Sequence, residues 1–235
     1  MIAGTETLFL ALLGGILPAV AWLGFWLRED ARPEPRRLIM RAFVAGMFAV
    51  PIVLFLEEGV ARYSGGTAQI WLWAAIEEIV KFAVAYVVVL RRRENDEPID
   101  PIIYMITAAL GFAAIENSLF LITPLEQGHA LAGIVTGNLR FFGATLLHTL
   151  SSAVIGLAMA LPFYRRRILR REVLLCGIVL AIMLHALFNL LILGSSGRQL
   201  FFVFSGVWVG LIAVIIVFEK VKRVKRPQFV YLRKK

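Results

Sequence analysis

Charge is scarce in this chain. Of its 235 residues only 17% are charged, while 60% are apolar; an ordinary soluble domain carries about a quarter charged residues. The mean hydropathy of +0.80 points the same way. These values exclude a soluble globular enzyme and a disordered chain. They also exclude a nucleic-acid-binding domain, although the formal net charge is +9. Cysteine is almost absent. The lone Cys176 lies inside an apolar run and rules out an internal disulfide framework. Internal repeats and low-complexity tracts are missing too, and the longest polar segment is the tail from Glu219 to Lys235.

What is present is a series of long apolar runs. A helix needs about 20 mostly apolar residues to cross a hydrocarbon core. Seven stretches meet that length, at about 5–27, 38–60, 70–90, 102–122, 138–161, 173–193 and 200–218. The first has no basic segment before it and is too long for a cleavable leader. The fold class is therefore all-α: a polytopic membrane helix bundle of seven transmembrane helices. Residues 1–218 are expected to form a single transmembrane domain, and 219–235 a basic cytoplasmic tail.

The basic residues set the orientation. Segments 28–37, 91–101, 162–172 and the tail hold four, three, five and eight Lys or Arg. The alternate loops hold only Arg62 and Arg198. Positive residues accumulate on the cytoplasmic side, which places the N-terminus outside and the C-terminus inside. The tail (Lys220, Lys222, Arg223, Lys225, Arg226, Arg233, Lys234, Lys235) reads as an anchor on anionic headgroups of the cytoplasmic face.

Against this background the ionisable residues inside spans stand out. Each costs about 2.5–3.5 kcal/mol on insertion scales, so each is a functional hypothesis. The third span carries Glu77, Glu78 and Lys81, and the fourth carries Glu116 and Asn117. The fifth carries His148, and the sixth carries His185 and Asn189. At a rise of about 1.5 Å per residue, Glu77, Glu116, His148 and His185 lie roughly 9–14 Å from the outer ends of their spans, and Asn189 about 6 Å. Polar groups from four helices thus share one layer. Lys81 follows Glu77 by four and Glu78 by three, so it shares a face with either. Adjacent carboxylates point roughly 100° apart on a helix, so one can face a cavity while the other is held by Lys81 or a neighbouring helix. Small residues such as Gly111, Gly143, Ser151, Ser152 and Gly156 permit close packing around that layer.

Two kinds of hydrolysis fit these groups. A Glu can deprotonate a water that attacks a carbonyl, with His stabilising the oxyanion and protonating the leaving group. Alternatively, His148, His185 and one carboxylate can ligate zinc. The HExxH pattern is absent, so the cofactor expectation is either none or one Zn2+.

In order and spacing, Glu77-Glu78-x-x-Lys81, Phe112-x-x-x-Glu116-Asn117, the isolated His148, and His185 with Asn189 resemble the motifs of the PrsW family of intramembrane proteases. That family is similar to the CAAX-prenyl protease and bacteriocin-immunity membrane proteins and to the scaffold subunit of γ-secretase. The resemblance covers roughly residues 35–195. It implies a multi-pass endopeptidase of a bacterial or archaeal plasma membrane. Such an enzyme makes the first, outer-side cut in a single-pass substrate such as an anti-sigma factor, a step of regulated proteolysis. Under it, Glu77 is the general base, and Glu78 positions the water or is held by Lys81. His185 and Asn189 stabilise the oxyanion, and His148 is an additional acid or ligand. Glu116 stands where the prenyl proteases have a histidine, and Phe112 and Asn117 support the motif. If a metal is used, the expected ligands are His148, His185 and Glu116.

Two other classes fit part of the pattern. A proton-coupled transporter would use the Glu and His residues as a relay, but such proteins show paired halves with broken helices. A non-catalytic scaffold would bind a partner helix. A retinal-type receptor fails, because residues 200–218 contain no Lys. The remaining polar residues have plain readings. Glu57, Glu58 and Arg140 sit close enough to the outer interface for snorkelling or solvation to suffice. His129 is a loop residue, and Trp22, Trp26, Trp71 and Trp73 suit interfacial belts.

Overall fold

The computed structural model describes residues 4–30, 32–129, 135, 140–195 and 197–224. Among the described residues there is no strand, and the chain forms seven α-helices. These are α1 (Thr5–Arg28), α2 (Arg36–Ala61), α3 (Gly66–Ala85), α4 (Asp100–Glu126), α5 (Thr145–Ala160), α6 (Arg167–Leu193) and α7 (Arg198–Val221). A π-helical turn, Tyr86–Leu90, follows α3, and a second, Arg140–Ala144, leads into α5. The expected start of the fifth span at 138, the side chain of Arg140 and the tail beyond 224 lie outside the described residues.

Several helices overrun the apolar stretches that announce them. α6 begins at Arg167, where hydropathy alone starts the span at about 173. Hydropathy marks the part that suits lipid, whereas the backbone hydrogen-bond ladder continues through polar residues until chain geometry stops it. Gly66 (φ +61°) and Gly128 (φ +70°) mark such limits at the first residue of α3 and after α4, in a conformation that other residues rarely adopt.

Among the described residues six of the helices are long and apolar enough to cross a membrane, α5 when counted with the π-helical turn from Phe142. The exception is α3, because Glu77, Glu78 and Lys81 fall within every 18-residue stretch of it.

α4 is the axis of the bundle, packed against α1, α2, α3 and α5. Its apolar window is 72% buried, against 17% for α1 and for α7. Close approach makes this possible. A Cβ on Gly46 of α2 would stand 1.9 Å from the carbonyl oxygen of Ala108, and one on Gly111 of α4 would stand 1.9 Å from that of Phe43. The two glycines therefore let the α2 and α4 backbones touch. Large side chains such as Phe9, Phe48, Phe55 and Phe201 stand exposed on the outside of the bundle, as a hydrocarbon solvent permits.

Ion pairs gather three of the four basic segments at one end. Arg32 pairs with Glu97, Arg37 Nη2 lies 3.4 Å from Glu94 Oε1, and Lys222 Nζ lies 3.1 Å from Glu29 Oε2. The Tyr104 hydroxyl donates to Glu34 at the same end. Burial pushes the Glu34 carboxyl above its usual range.

Gly111→Ala should force α2 and α4 apart and destabilise the protein by about 1–3 kcal/mol. Gly206→Ala, where a Cβ would meet nothing within 4 Å, should leave stability unchanged. Thermal unfolding of both variants in detergent micelles reads the difference.

Candidate active site

Glu77, Glu78 and Lys81 are all buried in α3, and the two carboxylates occupy different environments. Glu78 is fully enclosed. It accepts from Lys81 Nζ at 2.6 Å, His185 Nδ1 at 2.7 Å, Ser151 Oγ at 2.9 Å and Ser152 Oγ at 3.5 Å. These partners come from α3, α5 and α6, so one carboxylate fastens three helices. A buried carboxylate is tolerated when a cation and hydrogen-bond donors meet it in this way.

Glu77 is 6% exposed, and its Oε2 is buried with no hydrogen-bond partner. Oε2 lies 3.7 Å from Lys81 Nζ and 3.8 Å from His148 Nδ1, while Oε1 lies 3.7 Å from His185 Nε2.

The far side of each imidazole is held by another carboxylate. Glu78 accepts only, so His185 Nδ1 carries a proton and Nε2 faces Glu77. His148 Nε2 lies 2.8 Å from Glu116 Oε2 and donates to it. The opposite nitrogen, Nδ1, then accepts from Lys81 Nζ at 3.1 Å. The two rings stand edge to face, with centroids 5.2 Å apart.

Phe112 packs edge to face on His148 at 5.3 Å, and its ring lies 4.9 Å from Lys81 Nζ. It therefore confines both groups. Asn117 donates to Thr145 Oγ1 at 2.8 Å, which ties α4 to α5 beside the cluster. Eight of the expected residues thus come together: Glu77, Glu78, Lys81, Phe112, Glu116, Asn117, His148 and His185. Asn189 does not join them; it is half-buried one turn beyond His185 on α6.

Sequence spacing leaves three participants unrecognised. Ser151 and Ser152 look like packing residues, yet both face Glu78. Ser151 follows His148 by three, which is the available signal. Glu57 looks like a solvated interface residue but is half-buried, within electrostatic reach of Glu77, Glu116, His185 and Lys81. Glu58 does fit the plain reading, exposed and paired with Arg62 at 2.6 Å. His129 is exposed beyond the end of α4.

A metal ion suits this arrangement. Glu77, His148 and His185 each offer an atom within 4.8 Å of the others. Glu77 Oε2 is an orphaned buried acceptor. Metal-bound histidines commonly donate their second nitrogen to a carboxylate, as His185 does to Glu78 and His148 to Glu116. The converging carboxylate is therefore Glu77 in place of the expected Glu116. Glu116 sits behind His148, because it reaches Nε2 from the side away from Glu77.

Comparison with known proteins gives a consistent picture. The family model described as PrsW family intramembrane metalloprotease matches residues 34–218. The Protease PrsW of Geobacillus kaustophilus is 28% identical over 228 residues, covering 94% of this chain and 93% of that protein. That of Oceanobacillus iheyensis is 30% identical, covering 80% of this chain and 86% of that protein. That of Bacillus subtilis is 24% identical, covering 80% and 85%. No solved structure matches the chain.

Lys81→Met should leave Glu78 buried without its cation and destabilise the protein by about 3–5 kcal/mol. Combining it with Glu78→Gln should restore a substantial part of that loss. Melting temperatures of the single and double variants in detergent test the pair; additive losses would show that the two residues are not coupled.

Proposed function

This chain belongs to the PrsW family of intramembrane proteases, and from that premise we propose that it hydrolyses a peptide bond of a single-pass membrane protein near the extracytoplasmic side. Site-1 cleavage of an anti-sigma factor is the model for such a step. The protein is a multi-pass membrane peptidase. The proposed topology has α1 to α7 crossing in alternation, with the N-terminus outside and the C-terminus cytoplasmic. The charge bias supports it, as does the meeting of three basic segments at one end of the bundle. In this orientation α3 is a full span, with Glu78 and Lys81 compensating each other inside the bundle.

The observation that carries the chemistry is the Glu77 carboxylate between two oriented imidazoles, with its Oε2 unpartnered. A water against this oxygen gives its proton to Glu77 as it attacks the carbonyl carbon. Glu78 keeps the His185 ring in place through Nδ1. Asn189, further along the same helix, offers its carboxamide N–H to the carbonyl oxygen as charge builds there. Glu77 then passes that proton to the leaving nitrogen as the C–N bond breaks. Glu116 and Lys81 hold the His148 ring in place beside Glu77. When bound, a metal such as zinc would be held by Glu77, His148 and His185, and would supply an acidified water and a polarised carbonyl.

Glu77→Gln should lower cleavage by about 10²–10⁴-fold while leaving the melting temperature unchanged. Comparing protein N-termini in membranes of cells expressing either form reads this and names the substrate; identical termini would overturn the assignment. Elemental analysis of the purified protein should find one metal equivalent, lost in His185→Ala. Metal-free protein that still cleaves would leave Glu77 acting alone.

A further inference from the structure

Glu57 has a placement that the proposed chemistry does not use. On α2, Val50, Val53 and Glu57 follow at intervals of three and four and so form one stripe. Val50 and Val53 are 1% and 2% exposed. With Ala49 they pack on Phe112 of α4, against Ile76 of α3 and Ile115 of α4. The stripe therefore runs along the seam between α3 and α4 and ends at Glu57. Two further contacts fix the height. The Glu57 carbonyl accepts from Trp73 Nε1 at 3.3 Å, and Trp73 precedes Glu77 by one turn of α3. Phe112 precedes Glu116 by one turn of α4. Glu57 thus lies just above the Glu77 and Glu116 level, toward the end where α2 stops and α3 starts.

The carboxylates on α2 and α4 are more open than the groups at the centre of the site. Glu77, His148 and His185 are 6%, 2% and 2% exposed, whereas the Glu116 side chain is 21% exposed and Glu57 is half-buried. The charges there are unbalanced. Glu57, Glu77 and Glu116 lie within electrostatic reach of one another, while the neighbouring cation Lys81 is enclosed and bound to Glu78. Among the described residues the Glu57 carboxylate makes no ion pair, and it is not one of the groups that converge for a metal. A carboxylate in such surroundings calls for a cation. A substrate Lys or Arg can bring one, with its aliphatic stem on the apolar seam and its head at the polar layer.

We propose that Glu57 is a specificity-determining residue, selecting substrate segments that carry a lysine or arginine beside the scissile bond. This rests on the peptidase reading above and gives its substrate a chemical class.

The test uses a library of single-pass reporter proteins randomised through the outer third of the span and the adjoining residues, co-expressed with the full chain. Cut and uncut members are separated by loss of an N-terminal tag and sequenced. The chain should enrich Lys or Arg at a fixed position relative to the cut by about tenfold or more. Glu57→Gln should remove that enrichment, and Glu57→Lys should shift it to Asp or Glu at the same position. Glu58→Gln, on the exposed pair with Arg62, should retain it. An enrichment that persists in both Glu57 variants, or its absence in the unaltered chain, overturns the proposal while leaving the peptidase reading intact. Cutting that continues in Glu77→Gln, or no cutting at all, overturns the peptidase reading and this inference together.

Discussion

The burial of one ion pair, Glu78 with Lys81, is the constraint on which the rest of the bundle depends. Both side chains are fully enclosed, 2.6 Å apart on adjacent turns of α3. Charges in such a place are expensive unless every lone pair and proton is met. Lys81 alone cannot do that, so His185 of α6 and Ser151 and Ser152 of α5 close around Glu78. The satisfaction of one carboxylate thereby sets how three helices stand relative to one another. It also fixes the His185 tautomer, and through Lys81 the acceptor face of His148. A purely apolar core would hold the helices together but would not choose their rotation.

The division between Glu77 and Glu78 follows from that constraint. Neighbours on a helix cannot share a direction, so once Glu78 is turned into the α3–α5–α6 junction, Glu77 must face elsewhere. It faces the space between the two imidazoles with one oxygen unmet. The same logic extends to α4. Its backbone is brought close to α2 by Gly46 and Gly111, so Phe112 and Glu116 arrive one turn apart against His148. Structural closeness and chemical reach have one cause, the small residues along α4.

The sequence makes some of this legible and hides the rest for identifiable reasons. Long apolar runs announce helices, so the all-helical bundle and the layer holding Glu77, Glu116, His148 and His185 can be read from hydropathy and rise per residue alone. α3 is the instructive case. Its charges exclude it from a count of spans based on composition, yet Lys81 neutralises Glu78 inside the bundle. Periodicity also predicts which groups share a helix face, and so pairs Lys81 with a glutamate. It does not predict which groups meet across helices. That is why Glu116 looks like a metal ligand and proves to stand behind His148, with Glu77 in the converging position. Ser151 and Ser152 are hidden because small size and hydrogen bonding are the same residues' two properties, and spacing speaks only for the first. Glu57 is hidden because depth along one helix says nothing of what the neighbouring helices place beside it.

Charge balance links the buried pair to the open side of the site. Within the layer four carboxylates, Glu57, Glu77, Glu78 and Glu116, face one lysine and two imidazoles. The innermost carboxylate takes the lysine, and Glu116 is met by an imidazole N–H. What is left is Glu77 at the centre and Glu57 at the rim, and the two call for different cations. At Glu77 the neighbours are imidazole nitrogens, which suit a proton or a metal ion and disfavour a peptide side chain. Around Glu57 stand Val53, one turn before it on α2, and Trp73, whose indole reaches its carbonyl, and these suit a long side chain ending in a cation. The acid excess that makes this layer costly in a membrane is therefore resolved in depth order, by the chain's own lysine, then by the reacting groups, and at the rim by what enters.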